Sequence, residues 1–294
     1  LAAGNGAGAV ACEVDVQNDR LRLVVAISDL GEDSDVVVRY AAQIALQTQA
    51  RLRVVHPFAA LGKSLRKVLF SVPSLDQRIQ TASAALAEQG ARVTAGTGIA
   101  YETVLDHNSP EQVLIRQAAY GLADMVVAGA SHFADSIALR TLASVRTPCF
   151  FVRAQAESNS SRSVIQALTP RVAPDVFLRT QRWLRTLRAL PVQPLHAPSQ
   201  TQTNGGTLEL DVLLCPEPAD GAPSCRIHAA EALRRTFGES APALIAALID
   251  AEGADEELEF AETLHTLLLA EAPCPVLYMP PLAAQRTVPD PLPA

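Results

Sequence analysis

Arg146-Thr147-Pro148-Cys149-Phe150-Phe151-Val152 closes the first half of this chain, and Ala272-Pro273-Cys274-Pro275-Val276-Leu277-Tyr278 closes the second. Each phrase is a short apolar strand introduced by proline, and each follows a helical stretch, Ser136 to Val145 in the first half and Glu256 to Glu271 in the second. A helix-and-strand closure that occurs twice in 294 residues implies one α/β unit laid down twice.

Upstream of the first closure, strands and helices alternate. Leu21 to Ser28 (LRLVVAIS) reads as a buried strand from its unbroken β-branched and aliphatic run. Ser34 is placed to cap a helix from Asp35 to Thr48, with Val37, Tyr40, Ala41, Ile44 and Ala45 on one face. Ala50 to His56 is the second strand, and Leu61 to Phe70 a short helix. Ser74 and Gln77 have the spacing of a capping box for a helix expected to stop at Gly90, with a third strand over Ala91 to Thr97. Asn108-Ser109-Pro110 starts the next helix, which runs to Tyr120, since proline suits the first helical position. Asp124 to Ala128 (DMVVA) is the fourth strand and Cys149 to Val152 the fifth.

The second half is fainter. Strands are expected at Val164 to Leu168, Gln193 to His196, Leu208 to Leu214, Ala243 to Ile249 and Cys274 to Met279, with helices near Pro174 to Ala189, Arg226 to Phe237 and Glu256 to Glu271. The division that follows is a lead-in at 1–20, a first domain at 21–153, a polar linker at 154–163, a second domain at 164–280 and a proline-rich tail at 281–294. The expected fold is α/β: two tandem open, mainly parallel sheets with helices on both faces.

Composition narrows the function. Apolar residues make up 49% of the chain and aromatics 4%, so Ala, Leu and Val must fill the core, which suits helices on a parallel sheet. The net charge of −7 and the lack of a dense Lys/Arg run argue against nucleic acid as a partner. No apolar run reaches the roughly 18–20 residues that a membrane span needs. The cysteines, Cys12, Cys149, Cys215, Cys225 and Cys274, are odd in number and fit no zinc pattern, which suggests reduced thiols in the cytoplasm. No G-x-S-x-G elbow and no histidine pair at i, i+4 is present, so no catalytic or metal residues are expected and the chain is read as a non-enzyme.

With these residues in view, the first half resembles the universal stress protein family. Ser28-Asp29 stands where that family has an aspartate after its first strand, and Arg39-Tyr40-Ala41 follows without a gap. Leu122 to Gly129 (LADMVVAG) is similar to the family's "gaDLIVmG" strand, and Ser136 to Val152 to its closing helix and strand. The resemblance covers about Arg20 to Arg153, and in the second half mainly Pro242 to Met279. It implies a universal-stress-like sheet of the adenine nucleotide alpha hydrolase type.

Members that bind ATP carry a loop after the fourth strand that reads G, two residues, G, nine residues, then G with Ser or Thr. Glycines let backbone amides approach phosphate, and the next helix N-terminus adds partial positive charge. Here Gly129 holds the first place and His132 the second, the spacer is almost gone, and Asp135-Ser136 replaces the last pair. A carboxylate at a helix N-terminus stabilises the helix but repels phosphate. In the second half, Asp250 to Glu257 offers one glycine and no cation. The resemblance therefore implies a vestigial nucleotide site at Asp29, Gly129, His132 and Ser136, with no cofactor expected and ATP or AMP as the alternative. Strands Cys149–Val152 and Cys274–Met279 are the candidate surfaces for self-association or a protein partner, because the family's fifth strand is commonly a pairing edge. The expected function is a non-catalytic regulatory or interaction protein of stress response. The alternatives are the cytoplasmic regulatory region of a membrane transporter, which a start at Leu1 would fit, and an adenine-nucleotide-binding stress protein.

Overall fold

The computed structural model describes residues 21–31, 34–58, 74–119, 122–133, 142, 145, 147–153, 164–168, 210–214, 244–248, 265–272 and 275–279. Five strands form the first half: β1 (Leu23–Ile27), β2 (Arg51–Pro57), β3 (Tyr101–Asp106), β4 (Met125–Gly129) and β5 (Cys149–Val152). They alternate with helices α1 (Ser34–Thr48), α2 (Leu75–Thr94) and α3 (Pro110–Ala119), and the helical turn α4 (Ala130–Phe133) follows β4 at once. The second half supplies β6 (Val164–Leu168), β7 (Leu210–Leu214), β8 (Leu244–Leu248), helix α5 (265–271) and β9 (Val276–Met279). The expected lead-in, linker and tail, the helices at 61–70, 174–189 and 226–237, and the strand at 193–196 lie outside the described residues.

All nine strands share one sheet in the order β3-β2-β1-β4-β5-β9-β8-β6-β7. Pairing is parallel within each half, while β5 meets β9 antiparallel, with Cys149 opposite Tyr278, Phe150 opposite Leu277 and Phe151 opposite Val276. The two closing phrases of the sequence thus lie side by side.

β1 and β4 are buried throughout, as strands covered on both faces must be. Val24 and Ala26 face α1 and α2, while Leu23, Val25 and Ile27 join the core that contains α3 residues Val113, Leu114 and Ala118. Both cores cross the seam, with Leu277 and Met279 in one and Val276 and Tyr278 in the other. Val37, Val38 and Ile44 of α1 are at most 2% exposed, and each such burial contributes roughly 1.5–3 kcal/mol. Tyr40 stacks on Phe150 with ring centroids 5.2 Å apart, tying α1 to β5. α1 stops where Gln49 turns left-handed (φ 56) and the Ala50 N–H donates back to the Ala45 carbonyl at 2.8 Å.

Both expected caps at Ser74 and Ser109 form. The Ser74 hydroxyl accepts from the Gln77 N–H at 3.2 Å while the Gln77 side chain accepts from the Ser74 N–H at 3.0 Å, and Ser109 and Gln112 repeat the exchange ahead of Pro110. Ser34 differs: it is the first residue of α1, and its hydroxyl donates to the Gly31 carbonyl at 2.7 Å.

The expected third strand at Ala91 to Thr97 is not one. α2 runs through Gly90 to Thr94, and the strand is Tyr101–Asp106. Gly90 is in the helix for room rather than to end it: a Cβ there would come 2.6 Å from the Tyr101 ring. The turn is made further on, by Gly96 (φ 74) and Gly98 (φ 70), in a conformation that glycine adopts without steric cost.

Candidate functional site

The strand order reverses direction between β1 and β4, and in open parallel sheets the crevice at such a switch, outside the carboxyl ends of the strands, is where ligands sit. Register places Ile27 beside Ala128, so Ser28-Asp29 and Gly129-Ala130 leave the sheet next to each other. The chain positions the start of β1 with Asp124, whose carboxylate accepts the Arg22 and Leu23 N–H groups at 2.8 Å each. The Thr147 hydroxyl donates to the Ala123 carbonyl at 2.8 Å and so fixes the entry to β5.

Asp29 is exposed and opens a tight turn. Its Oδ1 accepts the Gly31 N–H at 2.9 Å, and a Cβ on Gly31 would stand 2.9 Å from Oδ2, so a side chain there would push the Asp29 carboxylate aside. Leu30 between them is left-handed at φ 63. Such a conformation costs an ordinary side chain about 1–2 kcal/mol.

The turn is held by a polar network under it. Ser28, fully buried, accepts the Leu30 N–H at 3.2 Å and donates its hydroxyl to Gln89 Oε1 at 2.6 Å. Gln89, 3% exposed, donates through Nε2 to Ser34 Oγ and to Asp35 Oδ1, both at 2.8 Å. Arg92 completes the line with contacts of 2.9 Å to both Asp35 carboxylate oxygens. Burial pushes the Asp35 carboxyl up, but hydrogen bonds from Arg92 and Gln89 and the charges of Arg92 and Arg39 outweigh it and hold the group below its ordinary range.

On the neighbouring strand β2, His56 Nδ1 lies 2.8 Å from the Ser28 carbonyl. A carbonyl only accepts, so Nδ1 carries the proton. Phe58 lies between the edges of His56 and His107 at centroid distances of 6.4 and 6.0 Å, with the Arg78 guanidinium 5.2 Å over its ring. Asp106 turns inward and accepts from the Asn108 backbone N–H at 3.2 Å, its side-chain amide at 2.5 Å and Arg116 at 3.4 Å. Asp106 and His107, adjacent in sequence, thus face different partners.

Gly129 ends β4, and α4 begins with the next residue. Phe133 anchors that turn, 1% exposed and edge-on to Phe151 at 5.6 Å. Of the four predicted site residues, Asp29 and Gly129 come together at the switch point, His132 lies on the α4 turn, and Ser136 lies outside the described residues. Sequence reasoning missed Gln89 and Phe133. Gln89 carried no signal, and Phe133 was an isolated apolar residue in a presumed loop.

Cys149 is buried, its thiol 3.4 Å from the Thr147 carbonyl and pushed up to about 12 by burial. That suits a packing residue rather than a nucleophile. Among the described residues no group of three or more His, Cys, Asp or Glu side chains is arranged to hold a metal, and no helix is long and apolar enough to cross a membrane.

An open, mainly parallel α/β sheet whose strand order reverses between β1 and β4 defines the class. Residues 20–147 match the sequence model of the Universal stress protein family, so the first half carries a domain of that kind. A universal stress protein from Archaeoglobus fulgidus DSM 4304 aligns with 88% of this chain and 96% of its own at 14% identity and a TM-score of 0.54, a likeness of fold. A putative universal stress protein from Pseudomonas aeruginosa UCBPP-PA14 aligns with 90% of this chain and 95% of its own at 12% identity and a TM-score of 0.46. One from Burkholderia pseudomallei aligns with 46% of this chain and 97% of its own at 18% identity and a TM-score of 0.36. No curated protein matches the chain significantly.

Proposed function

We propose that this is a tandem universal stress protein that acts as a regulatory or interaction module without catalysis, and that its phosphate-cradling loop has been replaced. The observation that carries the proposal is Phe133. The family's loop after the fourth strand needs backbone amides free to approach a polyphosphate. Here the chain enters a helical turn directly after Gly129 and buries an aromatic ring four residues on. A turn fixed in the core has little freedom to wrap a ligand.

The strand order supports the tandem part. β6 lies between β7 and β8 as β1 lies between β2 and β4, and the two closing strands meet at the centre. One unit used twice, with its last strand as the joint, accounts for that order. The free, buried thiol of Cys149 goes with a reducing, cytoplasmic setting.

A second reading, an adenine-nucleotide sensor, is favoured by the exposed Asp29 at the switch point. Thermal unfolding with ATP, ADP and AMP at millimolar concentration separates the two. Ligand at 100 times its dissociation constant stabilises by about 2.7 kcal/mol. We expect no shift with any of the three. A shift that Asp29→Ala removes would replace the module reading with the sensor.

A further inference from the structure

Four rings run edge to face from the candidate site across the seam. Phe133 on α4 meets Phe151 on β5 at 5.6 Å and 67°, Phe151 meets Tyr278 on β9 at 5.5 Å and 87°, and Tyr278 meets His265 on α5 at 5.2 Å and 77°. All four are buried, none more than 5% exposed, and His265 Nδ1 stands 2.8 Å from the Tyr278 hydroxyl. The first ring belongs to the turn that follows β4, and the last to a helix of the other half. We propose that this row is a mechanical link between the two halves: a change at Phe133 on the α4 turn is passed, ring by ring, to His265 on α5.

The physical basis is close packing. Edge-to-face rings hold a defined tilt, and a dense core offers no slack in which one ring moves alone. Each ring in the row touches the next, so α4 cannot shift Phe133 without Phe151 responding, and Phe151 is packed against Tyr278 on the opposite side of the β5–β9 seam. The final step is reinforced by the hydrogen bond that couples Tyr278 to His265. Adjacency alone is not coupling, so the link has to be measured at its far end. The inference goes beyond the proposed function and needs no nucleotide.

The test uses the full chain with 13C-labelled histidine and reads the His265 ring resonance, assigned through His265→Gln. Phe133→Leu keeps an apolar side chain but removes the first ring. The expected result is a displaced His265 signal, with no displacement for Leu114→Met, a fully buried control in the same core. Breaking the row in the middle with Phe151→Leu should abolish the response, so that adding Phe133→Leu to that background leaves His265 where it was. Phe133→Met replaces Phe133→Leu if circular dichroism shows that the latter does not fold. An unmoved His265 signal, or one that moves equally in the Phe151→Leu background, overturns the link.

Discussion

Gln89→Leu is the perturbation that tests the network under the Asp29 turn most directly. Gln89 makes three hydrogen bonds, accepting from Ser28 and donating to Ser34 and Asp35. Their loss is uneven. Ser34 keeps its own donation to the Gly31 carbonyl, and Asp35 keeps Arg92. Ser28 is fully buried, and its hydroxyl proton loses its acceptor. A stranded buried donor costs about 1–3 kcal/mol, and a lost bond to a charged group about 1.5–3, less here because Asp35 is partly in water. The expected destabilisation is therefore about 3 kcal/mol, or a Tm lower by roughly 6–12 °C. The decisive variant is Ser28→Ala/Gln89→Leu, in which the stranded hydroxyl is gone. Urea unfolding should show the double variant about 1–2 kcal/mol more stable than the sum of the single effects, as contacting residues in one network require. Additivity within about 0.5 kcal/mol would refute the network as drawn.

Other expectations concern charge and space. The Asp35 carboxyl is held below its ordinary range when folded, so its contribution is present above the unfolded value of about 3.9 and is lost as pH falls through the folded one. The stability difference between the wild type and Asp35→Asn, from urea unfolding at pH 7 down to pH 3, should shrink below about pH 4; a constant difference would contradict the assignment. Gly90→Ala should not stabilise the wild type, because the new methyl meets the Tyr101 ring. On a Tyr101→Ser background the same change should gain about 1 kcal/mol of helix propensity, measured in the same way. An equal effect in both backgrounds would rule out the close approach.

Much of the fold could be read from the chain because fully buried strands leave continuous apolar runs. The second-half strands at Val164, Leu208 and Ala243 were found in this way, and their observed counterparts differ by no more than two residues at either end. β3 escaped for the opposite reason. It lies at the outer end of the sheet, Asp106 is its one buried residue, and Tyr101-Glu102-Thr103-Val104-Leu105-Asp106 contains no continuous apolar run to mark it. The stop assigned at Gly90 then displaced the strand by about ten residues, since a packing glycine and a capping glycine look alike in sequence. Asp29 and Gly129 were picked out by a family pattern, and the β1–β4 register sets the two strand ends side by side. The bonds that hold the turn join residues as far as 61 positions apart. Polar side chains at such separations carry no periodicity from which their pairing could be read.

The antiparallel seam between β5 and β9 pairs three residues on each side. Two separate chains would meet through such a patch only at the cost of their translational freedom, which is several kcal/mol. Joined in one chain, the two edges meet in an intramolecular step, whose equilibrium does not depend on the protein concentration. The seam can therefore be occupied however dilute the protein is. A change in expression level, which would populate or empty an intermolecular joint, leaves this one as it was.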